Sequence, residues 1–170
     1  KKIPMEDMCQ LSERLTEDKY KGSHERIAKL ITQYSSVPKL DLVKYWEQVI
    51  FAWITGNADM HLKNYSLYAP DDENYTLTPA YDLLSTALAV PEDTEELALT
   101  LCGKKRKLTR RHFLDAMLQS GMDTKVCANI FSRFMRLADT WEIFIHNSFL
   151  PKDMQQKYIA LIKQRIISLG

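Results

Sequence analysis

Residues 41–68 read DLVKYWEQVIFAWITGNADMHLKNYSLY, and the texture of the chain changes midway through them. In the first part Leu42, Tyr45, Trp46, Val49, Ile50 and Trp53 recur at three- and four-residue steps, the period of one helical face. The stripe is broad and aromatic, which predicts a deeply buried helix capped by Asp41. Past Gly56 that period is lost. Residues 65–68 and 75–78 are short β-prone runs, and the polar stretch 69–74 between them predicts the turn of a small hairpin.

The helical period returns on both sides of this segment. Upstream, residues 5–15 predict a modest helix, and Ser23 predicts the N-cap of another that runs to about Tyr34. Ser35, Ser36, Val37 and Pro38 break it. Downstream, residues 97–101 predict a third short strand, and 109–120 a helix closed by Gly121. Asp123 or Thr124 opens a long helix with Cys127, Ile130, Phe131, Phe134, Leu137, Trp141 and Phe144 on one stripe. Pro151, at a first-turn position, starts the last helix. The expected fold is mainly α with a small β hairpin, in a single domain over residues 1–170.

Composition bounds the function. The 23 Lys and Arg residues balance 22 Asp and Glu, which argues against a polycationic nucleic-acid binder. The run 49–54, six apolar residues, is among the longest and far short of the roughly 20 that a membrane helix needs. The first eight residues lack the apolar stretch of a secretory signal. Cys9, Cys102 and Cys127 are odd in number and widely spaced, as suits a reducing compartment; the expected location is cytoplasmic, with no membrane partner.

The chemistry concentrates in GNADMHLKNYS, residues 56–66. Asp59, His61, Lys63 and Asn64 bring a carboxylate, an imidazole, an ammonium and a carboxamide into six positions, on a loop between a buried helix and a strand. Asp59 and Asn64 form D-x-x-x-x-N, a spacing used in phosphoryl transfer: the Asp takes or orients a hydroxyl proton and the Asn gives an oxygen to magnesium. Eighteen residues on, Asp82 lies in TPAYDLLS, where an acid in apolar surroundings needs a cation, donors or a helix to cap. A hard magnesium ion completes its shell with water and phosphate, so Asn64 and Asp82 suffice from the protein. His61 and Lys63 would add positive charge or donors toward the terminal phosphate.

GNADMHLKNYS followed by TPAYDLLS resembles the catalytic and metal-binding segments of HipA-type serine/threonine protein kinases, the toxins of bacterial toxin–antitoxin pairs. MEDMCQLS (residues 5–12) and LALTLCGKKRKLT (residues 97–109) are similar to further segments of that family. The resemblance implies the helical C-terminal lobe of a protein-kinase-like, HipA-like fold. It implies ATP and Mg2+ as cofactors, Asp59 as the catalytic aspartate, Asn64 and Asp82 as magnesium ligands, and His61 and Lys63 facing the ATP phosphates. It also implies a protein substrate of the aminoacyl-tRNA synthetase kind, growth arrest or persistence as the outcome, and a HipB-like helix-turn-helix antitoxin that links the kinase to DNA. A kinase of this type needs a first lobe with a loop over the phosphates. Gly22 is the only glycine before Gly56, so that N-terminal lobe is expected elsewhere, in cis or in trans, and the 170-residue chain alone is expected to be inactive.

Two other readings fit the same residues. A small-molecule kinase of the aminoglycoside-phosphotransferase type shares the spacing, although it usually has His-Gly-Asp where this chain has Asn57-Ala58-Asp59. A non-catalytic, pseudokinase-like module of an antitoxin–DNA complex would be free to lose any of Asp59, Asn64 and Asp82, and all three are present. Lys104–Lys107 with Arg110 and Arg111 form the one basic cluster, read as a solvated turn first and a DNA-supporting patch second. The acidic run 92–96 reads as a solvated loop. His24, His112 and His146 have no partner at metal-ligand spacing and read as structural or surface residues.

Overall fold

A computed structural model describes residues 2–90, 92 and 94–170. Its centre is helix α3 (Pro38–Ile54), in which Leu42, Tyr45, Trp46, Val49, Ile50 and Trp53 are all buried. Helix α2 (His24–Tyr34), capped by the Ser23 hydroxyl as expected, packs along it. Helices α6 (Thr124–His146) and α7 (Lys152–Ile167) pack on each other, and α7 also reaches α3. Helix α5 (Arg110–Gln119) closes the core with Phe113, Ala116 and Met117 and ends before Gly121, whose φ of +87° suits glycine.

The first helix of the sequence reading is not formed as expected. Met5–Asp7 is strand β1, and only Met8–Leu11 is helical, as the single turn α1. Asp7 and Gln10 make a reciprocal capping box, at 2.9 and 3.0 Å, which starts the turn inside the expected helix. The residues before it are claimed by β2 (Ser66–Tyr68), with Met5 opposite Tyr68 and Asp7 opposite Ser66. Strand β3 (Thr76–Leu77) pairs on the other side, so the expected hairpin is the outer part of a three-stranded antiparallel sheet, β1-β2-β3.

Three further expectations are corrected by long-range contacts. Asp41 does not cap α3: Pro38 opens that helix one turn earlier, with its φ already set for the first position. The fully buried Asp41 carboxylate instead accepts bonds from Ser35 Oγ (2.7 Å), Thr76 Oγ1 (3.0 Å) and Leu77 N (2.7 Å), with Lys44 at 3.2 Å. Residues 97–101 form no strand. Their backbone makes single bridges to Ser23 and Lys104, while Leu97, Ala98, Leu99 and Leu101 drop into the core. The stripe of α6 leaves the core before its end, because Ile145 takes the inward position and Phe144 is 77% exposed. A short helix α4 (Thr86–Ala89) follows Asp82, though it starts after Ser85.

A half-buried carboxylate and a fully buried imidazole hold the core in register. Glu96, in the expected solvated acidic run, accepts from Trp53 Nε1 (3.0 Å), Leu108 N (3.0 Å) and Arg165 (2.7 Å). Burial opposes its ionisation, but those bonds outweigh it and hold the carboxyl below its ordinary range. Asp93 of the same run lies outside the described residues. His24 is fully buried, with Nδ1 2.7 Å from the Tyr45 hydroxyl, and burial lowers its pKa to about 4.

Asp41→Ala is expected to cost about 2–4 kcal/mol in urea unfolding, because it strands the buried Leu77 N–H and the half-buried hydroxyls of Ser35 and Thr76. A loss under about 1 kcal/mol would remove Asp41 as the tie between α3 and β3. For His24, the unfolded imidazole binds a proton from about pH 6.5 downward and the folded one only near pH 4. Unfolding therefore takes up a proton in that window, and stability falls by roughly 3 kcal/mol from this group as pH drops through it. His24→Gln should flatten that part of the stability-versus-pH curve; equal slopes in both proteins would contradict the burial argument.

Candidate active site

Helix α3 hands the chain to the loop 56–65 through a left-handed turn. Thr55 caps the helix, and Gly56 follows at φ +68°. The Gly56 carbonyl accepts from Ala87 N (3.0 Å) and Thr86 Oγ1 (3.1 Å), and Ala58 N donates to the same threonine oxygen (2.8 Å). A Cβ at Gly56 would lie 2.7 Å from Leu161 Cδ2 and 2.8 Å from Ala87 Cβ. The loop is thus sewn to α4 where only glycine fits.

Within that frame the structure brings Asp59, Asn64 and Asp82 together. Asn64, 5% exposed, donates from Nδ2 to Asp82 Oδ2 at 2.9 Å and approaches the Asp59 carbonyl at 3.4 Å. Asp82 is exposed and sits at φ +55°, a left-handed conformation that Asp tolerates better than most residues. Asp59 Oδ1 accepts from the Tyr20 hydroxyl at 2.6 Å.

The other two expected residues are placed differently. Lys63 is engaged by Asp7 Oδ2 at 2.9 Å, and that hydrogen bond raises its pKa. Its ammonium ties the loop to the end of β1. His61 is 6% exposed, its Nδ1 has no partner among the described residues, and its ring meets Tyr20 edge-on at 5.1 Å. Burial, aided by the positive charge of Lys19, lowers its pKa, so at neutral pH it offers a donor and an acceptor and no charge.

Three residues of the site escaped the sequence reading. Asn57, 1% exposed, accepts from Asp59 N (3.0 Å) and donates to the Asp82 carbonyl (3.3 Å), so one amide spans both motifs. The Tyr81 hydroxyl donates to the Lys63 carbonyl (2.8 Å) and meets Ser66 Oγ at 2.7 Å. Tyr20 comes from 39 residues upstream. Asn57 and Tyr81 lie inside the quoted motifs, beside Asp59 and Asp82, and offered a faint signal; nothing local marks Tyr20.

The donor set suits a hard cation. Among the described residues no cluster of three His, Cys, Asp or Glu side chains is placed to hold a metal ion, so protein ligation here would rest on the Asn64 and Asp82 oxygens. Asn64 Oδ1 and Asp82 Oδ1 accept no bond within the described residues, so both oxygens are available to magnesium. The basic cluster is largely spent on internal bonds: Lys105 on Glu95 (3.1 Å), Arg111 on Asp115 (3.6 Å) and Arg110 on the carbonyls of Leu169 and Gly170. His112 accepts from Thr109 N (3.0 Å) and His146 lies 3.8 Å from Glu142, both ordinary helix-end contacts.

Residues 1–141 match the HipA-like C-terminal domain family, and the chain belongs to it: it is a HipA-type kinase C-terminal region. Y4dM of Sinorhizobium fredii, which carries a provisional kinase name, is 34% identical over 110 residues, 64% of this chain and 26% of that protein. A similarly named Haemophilus influenzae protein is 28% identical over 138 residues, 79% of this chain and 38% of its own length. The chain therefore spans about a quarter to two fifths of these relatives. Among solved structures, HipA in the Shewanella oneidensis complex of HipA, HipB and operator DNA superposes with a TM-score of 0.78 at 20% identity, covering 99% of this chain and 43% of that one. The Helicobacter pylori proinflammatory kinase CtkA superposes with a TM-score of 0.59 at 16% identity, covering 99% of this chain and 69% of that one. The fold is kinase-like. No helix of the described residues is long and apolar enough to cross a membrane.

Gly56→Ala is expected to lower the unfolding free energy by more than about 1 kcal/mol, with a lower midpoint, through the left-handed backbone and the crowding at Ala87. Amide exchange in Thr86–Ala89 should accelerate with it. An unchanged midpoint would show that the turn is not constrained as described.

Proposed function

We propose that this chain is the C-terminal catalytic lobe of a serine/threonine protein kinase that transfers the γ-phosphoryl group of ATP to a protein hydroxyl. The observation that carries the reading is the 2.9 Å bond from Asn64 to Asp82, which joins the two motifs, with Asp59 on the same loop. Asp59 orients the incoming hydroxyl and accepts its proton as the oxygen attacks, a role that typically contributes about 10²–10⁴-fold. Asn64 and Asp82 would hold magnesium through oxygen, and the chemistry a bound ion would supply is neutralisation of the phosphate oxygens. Neutral His61 would offer phosphate a hydrogen bond and no charge, and Lys63 reaches phosphate only by leaving Asp7.

The relatives are longer than this chain, which supports a separate first lobe that covers the nucleotide. The Shewanella complex supports a HipB-like antitoxin as partner, with DNA engaged through it. The proposed substrate is a translation protein of the aminoacyl-tRNA synthetase kind, which would make the whole protein a growth-arresting toxin.

The test incubates the complete two-lobe protein with labelled ATP, magnesium and lysate of its host, beside Asp59→Asn and Asp82→Asn variants and the 170-residue chain alone. One labelled protein band is expected with the complete protein, reduced at least about 100-fold by either substitution and negligible with the isolated chain. A folded, ATP-binding protein that labels no protein would overturn protein-kinase activity and leave a small-molecule acceptor.

A further inference from the structure

We propose that Tyr20 is a positioning residue of the phosphotransfer site: its phenol fixes the Asp59 carboxylate so that Oδ2 faces the incoming hydroxyl. The inference rests on the reading of Asp59 as the residue that orients that hydroxyl. A carboxylate on a loop turns freely about its side-chain torsions unless something holds it, and a base must be aimed before it can act. Among the described residues the Tyr20 hydroxyl is the one group bonded to the Asp59 carboxylate, at 2.6 Å on Oδ1. That length belongs to the short, charge-assisted class of O–H···O⁻ bonds. The bond pushes the Tyr20 pKa up to about 12, so the phenol keeps its proton and remains a donor.

The segment that carries Tyr20 is built onto the loop by its backbone. Leu62 N donates to the Lys19 carbonyl at 3.1 Å. Gly22 packs so tightly that a Cβ there would lie 3.1 Å from Leu62 Cδ2. The Gly22 carbonyl accepts from both Thr100 N (3.2 Å) and Thr100 Oγ1 (3.1 Å), and His24 N donates to the Thr100 carbonyl (2.9 Å). The ring itself is braced by His61 edge-on at 5.1 Å and by Lys19 Nζ, 5.0 Å from its centroid. Tyr20 is nevertheless 43% exposed, so it stands at the edge of the site and not in the core. An anchored backbone, a braced ring and a single bond to the reactive carboxylate are what aiming requires. A side chain that merely filled space would need the ring and not the hydroxyl.

Tyr20→Phe separates these roles, since it keeps the ring and removes only the oxygen. In the complete protein, the readout is the initial rate of labelled phosphoryl transfer from MgATP to host-lysate protein, at varied ATP. The expected result is a kcat lowered about 10- to 100-fold with KM for ATP unchanged. Tyr20→Ala should lower kcat to a similar level. In an Asp59→Asn background, Tyr20→Phe should change the residual rate by less than about twofold. Loss of activity in Asp59→Asn with a wild-type kcat in Tyr20→Phe would overturn the positioning role alone. A faster Tyr20→Phe enzyme would overturn it too, and would mean that the phenol stands where the substrate hydroxyl must go. Wild-type kcat in Asp59→Asn would sink the underlying reading and this one together.

Discussion

The structure depends on a buried carboxylate far from its chemistry. Asp41 sits in the first turn of α3 and gathers the Ser35 hydroxyl, the Thr76 hydroxyl and the Leu77 amide. A lone ionised carboxylate there would be prohibitive, and it is tolerable because every oxygen is met by donors and Lys44 balances the charge. The consequence is geometric. One end of α3 is locked to β3, its other end turns through Gly56 into the loop, and β2 returns beside β3. Helix, loop and sheet thus form a closed circuit, and Asn64 and Asp82 lie on it.

The site is economical in charge. Of the two basic residues inside the motif, Lys63 is satisfied by Asp7 and His61 is held neutral by burial. The oxygens left at the Asp59–Asn64–Asp82 group suit a hard divalent ion, and phosphate would be met through such an ion and not by a cationic side chain. Neutral amides do much of the ordering. Asn57 bridges Asp59 N and the Asp82 carbonyl, so the two motifs are joined through backbone as well as through side chains. These bonds hold two segments eighteen residues apart in one arrangement.

Much of this was legible in the sequence because it was local. The α3 stripe, the Ser23 cap, the Gly121 stop and the two motif loops each announce themselves within a dozen residues. What was illegible was set by pairing at a distance. Residues 5–7 became a strand because β2 offered it an edge, and a capping box at Asp7 cut the expected helix short. Asp41 looked like a cap since Asp before an apolar stripe usually is one, but Pro38 had already begun the helix. Glu96 looked solvated in a run of acids until Trp53, Leu108 and Arg165 converged on it from three separate elements. Tyr20 had no local signature at all.

The left-handed backbone at Asp82 carries a consequence for how this position can vary. Two filters act on one side chain. The torsion admits Gly, Asn and Asp at little cost and disfavours most other residues by about 1–2 kcal/mol; the proposed ion would admit only an oxygen donor, and a full negative charge by preference. Asp alone passes both without loss. A saturation library at this codon should therefore split into three tiers: Asp functional, Asn and Gly well folded but impaired, and the β-branched residues depleted even from an abundance screen that ignores activity. Positions selected for ligand binding alone leave no mark in abundance screens, and Asp82 should leave one because its backbone and its proposed role select for the same residue.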